Sequence, residues 1–167
     1  MHDLASAAND RVDAIVADTL ALCAVESPSP DADASRRSAD AVRSLLEERL
    51  DATVTEQTIE GYVHVRATWG EPRVLLVCHH DTVWPIGTLA DMPFSLEDDV
   101  LRGPGVFDMK SGLVQLVWGL KGLQHFGISR RTVRLLLNGD EEVGSPVART
   151  VIEDVARSVT EVLVLEA

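Results

Sequence analysis

Three short, largely apolar runs, residues 74–78, 132–137 and 162–165, each end directly on side chains that bind protons or cations. The first passes into His79-His80-Asp81, the second into Asn138-Gly139-Asp140-Glu141-Glu142, and the third into Glu166. Runs of this length, rich in Val and Leu and bounded by polar residues, read as strands buried on both faces. Residues 111–126 lie between the first two and place Leu113, Leu116, Val117 and Leu120 on one helical face. Strands alternating with helices indicate an α/β fold whose central sheet is largely parallel and flanked by helices. In an open parallel sheet the ligand site lies beyond the carboxyl ends of the strands. This sequence therefore delivers an imidazole and several carboxylates to one edge of the sheet.

The remaining segments fit that frame. Residues 10–25 carry Val12, Ile15, Val16, Leu20 and Ala24 at helical spacing, and Ser27-Pro28-Ser29-Pro30 breaks the helix. Ser35 is positioned to cap a second helix that runs through Leu50, with Ala39, Val42, Leu45 and Leu46 inward. Residues 53–59 and 62–68 alternate and meet at Glu60-Gly61, the pattern of a hairpin. A Pro- and Gly-containing loop over 82–105 is expected to hold a short strand near 100–102, and Ser145-Pro146 to open another helix. A length of 167 residues suits one domain. A chain ending on a strand with no helix to cover it reads as a piece of a longer protein.

Charge and composition exclude some classes of partner. A net charge of −12 argues against nucleic acid and anionic membrane surfaces. No apolar run approaches the roughly 20 residues of a membrane-spanning helix. The first nine residues lack the basic and apolar regions of a secretion signal, so cytoplasmic is the default location. Cys23 and Cys78 read as small buried hydrophobes and not as a disulfide or as ligands. Singly, the polar residues have ordinary readings: His79 as a strand-end imidazole, Asp81 as a turn cap, Asp108 as a helix N-cap, 140–142 as a solvated acidic loop, Glu166 as an exposed end. Together at one sheet edge they would repel one another and raise their own pKa values, which a divalent metal relieves. One His with several carboxylates suits zinc, and also cobalt or manganese. By contrast, Glu97-Asp98-Asp99 reads as a solvated turn, and His2, His64 and His125 carry no motif.

His79-His80-Asp81-Thr82-Val83 resembles the H-x-D-T-V segment of the dinuclear zinc exopeptidases. Residues 103–112, Gly-Pro-Gly-Val-Phe-Asp-Met-Lys-Ser-Gly, resemble their G-x-G-x-x-D-x-K-G-G segment, and Asp140-Glu141-Glu142-Val143-Gly144-Ser145 their D-E-E-x-G-S segment. Val164-Leu165-Glu166 is similar to the strand that ends in their next acidic ligand. That family includes glutamate carboxypeptidases, aminoacylases, acetylornithine deacetylases and succinyl-diaminopimelate desuccinylases, and Gly103-Pro104-Gly105 leans toward the carboxypeptidase G type. The resemblance implies a three-layer zinc-exopeptidase-like fold, truncated at the C-terminus, with this chain as the N-terminal part of a catalytic domain. It also implies two zinc ions, with His79, Asp108 and Glu166 on the first and Asp108 and Glu142 on the second. Asp81 would orient His79, Glu141 would be the general base, and a cis peptide is expected at Asp108–Met109.

The implied reaction is hydrolysis of an amide bond, in a small peptide or an N-acyl amino acid, by a water that two metals activate. Two departures from the family pattern are mild: Ser111 replaces a Gly, and Ala167 stands where Pro is common. The larger one is length. Family members are about twice as long, and their C-terminal part carries the second metal's His, the groups that grip substrate and the domain through which many form homodimers. The alternative expectation is therefore a truncated, catalytically incompetent metal-binding fragment.

Overall fold

The computed structural model describes residues 4–130 and 132–166, so His2 and Ala167 lie outside the described residues. In chain order the helices are α1 (Leu4–Asn9), α2 (Val12–Cys23), α3 (Ala32–Leu50), α4 (Thr88–Asp91), α5 (Ser111–His125) and α6 (Ala148–Ala156). The strands are β1 (Val54–Ile59), β2 (Tyr62–Thr68), β3 (Val74–His79), β4 (Ser95–Glu97), β5 (Val100–Arg102), β6 (Val133–Asn138) and β7 (Glu161–Val164). The main sheet has the order β1-β2-β6-β3-β7. β6, β3 and β7 are parallel, as the α/β pattern requires. The β1–β2 hairpin joins antiparallel against β6, so the whole sheet is mixed. Glu60 and Gly61 both take positive φ, 51° and 90°, the conformation a two-residue hairpin turn needs. Asp98 and Asp99 do the same, at 50° and 62°, between β4 and β5.

Alternation along the strands divides the core between two faces. Leu135 and Leu137 of β6, with Val63, Val65 and Ala67 of β2, face α2, α3 and α5 in the larger cluster. Leu136, with Leu75 and Val77 of β3, faces Val151 and Val155 of α6. The result is a three-layer α/β/α arrangement. Cys23 and Cys78 are free and buried within it.

Three local expectations are corrected. The N-cap of α3 is Asp31, whose carboxylate accepts from Ala34 N at 2.8 Å, while Ser35 is buried and its Oγ accepts from Val63 N. Ser145 takes φ 52° and does not open a helix; α6 begins at Ala148. β7 was expected to be buried, yet Val162, Leu163 and Val164 are 42, 53 and 59% exposed. Among the described residues it is an edge strand, paired with β3.

One polar tie joins three helices under the sheet. Asp18 of α2, 8% exposed, accepts from Arg49 Nε and Nη2 of α3 at 2.8 and 2.7 Å and from Trp118 Nε1 of α5 at 2.8 Å. The Arg49 guanidinium, with the Trp118 indole, holds the Asp18 carboxyl below the usual range against the effect of its burial. A carboxyl depressed in the folded state contributes stability above its unfolded value and loses it as pH falls. Asp18→Asn should cost about 1–2 kcal/mol at pH 7, the low side for a charged hydrogen bond because Arg49 keeps a third of its side chain in water. Urea unfolding across pH should show the gap from wild type closing below about pH 4, the unfolded carboxyl value.

Candidate metal centre

His79 is the last residue of β3 and is fully buried. Its Nε2 lies 3.0 Å from Asp108 Oδ1, 3.6 Å from Glu166 Oε1 and 3.9 Å from Glu141 Oε2. Two triads, His79–Asp108–Glu142 and His79–Glu141–Glu166, each present one ligand atom per residue with all three atoms within 4.8 Å of one another. The structure thus brings together every metal-ligand and general-base residue expected from the sequence. On the other side of the ring, Nδ1 is 3.0 Å from the main-chain oxygen of Asp81 and 3.3 Å from its Oδ1. Those contacts aim Nε2 at the acidic residues. The Asp81 carboxylate is itself fixed, since Oδ2 accepts from Ser29 Oγ at 2.6 Å and from Glu142 N at 3.1 Å.

Asp108 reaches the site from an irregular turn, Val106–Lys110, with the Asp108–Met109 peptide cis as the family resemblance implies. Gly105 precedes it at φ 70°, and a Cβ there would meet Thr82 Cγ2 at 2.9 Å, so the turn packs against β3's exit only because this residue has no side chain. Met109 is buried and its Sδ accepts from His79 N at 3.2 Å. Lys110 is 2% exposed and donates to Leu22 O and Val25 O at the end of α2, at 3.1 and 2.7 Å. Burial pushes its pKa down to about 8.

Glu141 and Glu142 stand on a single 3-10 turn, Glu141–Val143. Asp140, before them, is fully buried and is no part of a solvated loop: its Oδ2 accepts from Val147 N and Ala148 N at 2.9 and 3.0 Å, anchoring the start of α6. Its distance in sequence from those amides hid that role, because a capping side chain ordinarily sits two or three residues from the amide it binds. His80 is structural. Its Nε2 donates to Val63 O at 2.8 Å, and burial pushes its pKa down to about 4.

The electrostatics of the cluster call for positive charge. Burial alone would lower the His79 pKa, but Asp81, Glu166 and Asp108 together push it up to about 9. Burial, with repulsion from Asp108 and Glu141, raises the carboxyls of Glu142 and Glu166 above their ordinary value. A divalent cation replacing the Nε2 proton relieves all three. The donors are nitrogen and oxygen only. The Cys23 and Cys78 thiols are buried, which pushes them up to about 11 and about 12, so they supply no thiolate. This set fits a catalytic zinc, cobalt or manganese site and not a structural zinc knot.

Residues 75–166 match the sequence model of Peptidase family M20/M25/M40, and the chain belongs to that family. Among curated proteins, carboxypeptidase G2 of Pseudomonas sp. (strain RS-16) is 32% identical over 171 residues, an alignment that covers 98% of this chain and 41% of that protein. The fold matches an M20 family metallo-carboxypeptidase from Sulfolobus solfataricus with a TM-score of 0.72 at 18% identity, covering 92% of this chain and 37% of the other. Human carnosine dipeptidase 1 superposes with a TM-score of 0.73 at 18% identity, covering 96% and 40%. The chain therefore spans about two fifths of the length of the relatives it matches.

Zinc or manganese should raise the melting temperature of the purified protein, and a chelator should reverse the gain. At a free-ion concentration of about 100 times Kd the stabilisation amounts to about 2.7 kcal/mol. His79→Ala, which removes the nitrogen common to both triads, should abolish most of it in differential scanning fluorimetry.

Proposed function

We propose that this chain carries the metal-binding half of an exopeptidase or amidohydrolase active site that cleaves an amide bond, releasing the C-terminal amino acid of a small peptide or the amino acid of an N-acyl conjugate. The observation that carries the reading is the convergence of Asp108, Glu141, Glu142 and Glu166 on His79 at the carboxyl ends of parallel strands. It is supported by the match to the peptidase family and by the 32% identity to a carboxypeptidase.

In this reading His79, Asp108 and Glu166 hold one zinc, and Asp108 and Glu142 contribute to a second. Asp108 suits the shared position because its short side chain rises from a tight turn already 3.0 Å from His79 Nε2. Bound there, the two cations would supply Lewis acidity toward the scissile carbonyl and lower the pKa of a water. Asp81 holds the His79 ring from behind. Glu141, whose carboxylate lies 3.9 Å from His79 Nε2 and is 43% exposed, would take the proton from that water and return it to the departing amine. Glu141 and Glu142 are adjacent on one turn and each presents a carboxylate oxygen to the cluster; in this reading one ligates while its neighbour stays free to move protons.

A second reading is favoured by one observation. The chain covers 41% of the carboxypeptidase it matches, and with His79 assigned to the first cation the second is left with Asp108 and Glu142 among the described residues, which suits a chain that holds one metal and does not turn over by itself. Assay of the zinc-loaded protein against N-acyl-glutamates and dipeptides separates the two. Turnover supports the first reading, and zinc binding without turnover supports the second. Where turnover is seen, Glu141→Gln should lower kcat by about 10²–10⁴-fold while zinc is still bound. A fully active Glu141→Gln variant would overturn the assignment of the base.

A further inference from the structure

The connector between α2 and α3, residues 24–31, reads in sequence only as a break between helices, yet it packs directly under the metal centre. Ser27 O accepts from Thr82 N at 2.8 Å, Ser27 Oγ donates to His80 O at 2.9 Å, and Pro28 forms a parallel bridge with Thr82. The connector thus runs alongside the exit of β3. Ser29, 2% exposed, donates its hydroxyl to Asp81 Oδ2 at 2.6 Å, the short contact of a charge-assisted hydrogen bond. That carboxylate is a junction. Its Oδ1 lies 3.3 Å from His79 Nδ1, beside the 3.0 Å contact of that nitrogen with the Asp81 main-chain oxygen, and its Oδ2 also receives the main-chain N–H of Glu142.

We propose that Ser29 is a positioning residue of the metal centre: through the Asp81 carboxylate its hydroxyl sets the orientation of the His79 ring and the placement of the Glu142 segment. The inference rests on the metal-binding reading given above. A carboxylate turns readily about its terminal torsion, which is broad and two-fold. Without Ser29, Asp81 Oδ2 keeps only the longer bond from Glu142 N. Rotation of Asp81 then shifts two ligand-bearing segments together, and a metal site tolerates displacements of only about 0.5 Å. Ser27 provides an internal contrast. Its hydroxyl is equally buried and comes from the same connector, but it binds the His80 carbonyl and does not touch Asp81.

The test is zinc affinity by competition titration, together with the melting temperature of the metal-free protein. Ser29→Ala should weaken zinc binding by about 10–100-fold, the range seen when a partner of a ligand is removed. Ser29→Thr, which keeps the hydroxyl, should restore most of the affinity. Ser27→Ala should lower the metal-free melting temperature and leave zinc affinity near wild type. In an Asp81→Ala background, Ser29→Ala should cost no further affinity. Wild-type affinity in Ser29→Ala, an additive loss in the double variant, or a Ser29→Thr variant as weak as Ser29→Ala would overturn the proposal while the metal-binding reading stands. Absence of zinc binding by the wild-type protein would instead overturn that reading, and this proposal with it.

Discussion

A buried imidazole ringed by carboxylates is the constraint around which the chain is arranged. Among the described residues, His79 is the basic partner in the close pairs that Asp81, Asp108, Glu141 and Glu166 form here. Left to itself, the cluster is held by a proton: His79 is driven toward its charged form, and Glu142 and Glu166 are biased toward their neutral forms. The mutual repulsion of the carboxylates costs stability, which the His79 proton offsets in part and a divalent cation would offset further. The residues a cation would use and the residues that repel one another are the same.

The fold brings these side chains together from strand ends and turns. Parallel β3 and β6 end together, with His79 opposite Asn138, so β3's last side chain and the turn after β6 emerge at one level. β7 continues the row and carries Glu166 just past its end. Asp108 does not come from a strand. It is brought in by a glycine-dependent turn whose Lys110 is anchored on Leu22 O of α2 and Val25 O of the connector that follows. The helical layer therefore serves the site as much as the core, because α2 and its connector fix both the Asp108 turn and the strand exit that holds Asp81.

Most of this was legible in the sequence because it is written in local patterns. Apolar runs of strand length gave β3 and β6, and the alternation around Glu60-Gly61 gave the hairpin. The residues that follow the runs gave His79, Glu141, Glu142 and Glu166 as candidates, and the Gly-containing turn gave Asp108. What escaped is long-range or depends on the company a residue keeps. Asp140 looked like one more solvated acid, yet it anchors amides seven and eight residues away. Ser29 meets Asp81 across 52 residues, and Lys110 meets Val25 across 85, separations at which no spacing rule operates. β7 has the composition of a buried strand and sits exposed, since composition reports what a strand can bury and not which neighbours cover it.

X-ray absorption at the zinc edge on the zinc-loaded protein tests the central claim most directly. The account expects nitrogen and oxygen scatterers at about 2.0–2.2 Å with the multiple-scattering signature of imidazole, which His79→Ala removes. Sulfur at about 2.3 Å, or a spectrum no different from hydrated zinc, would contradict it.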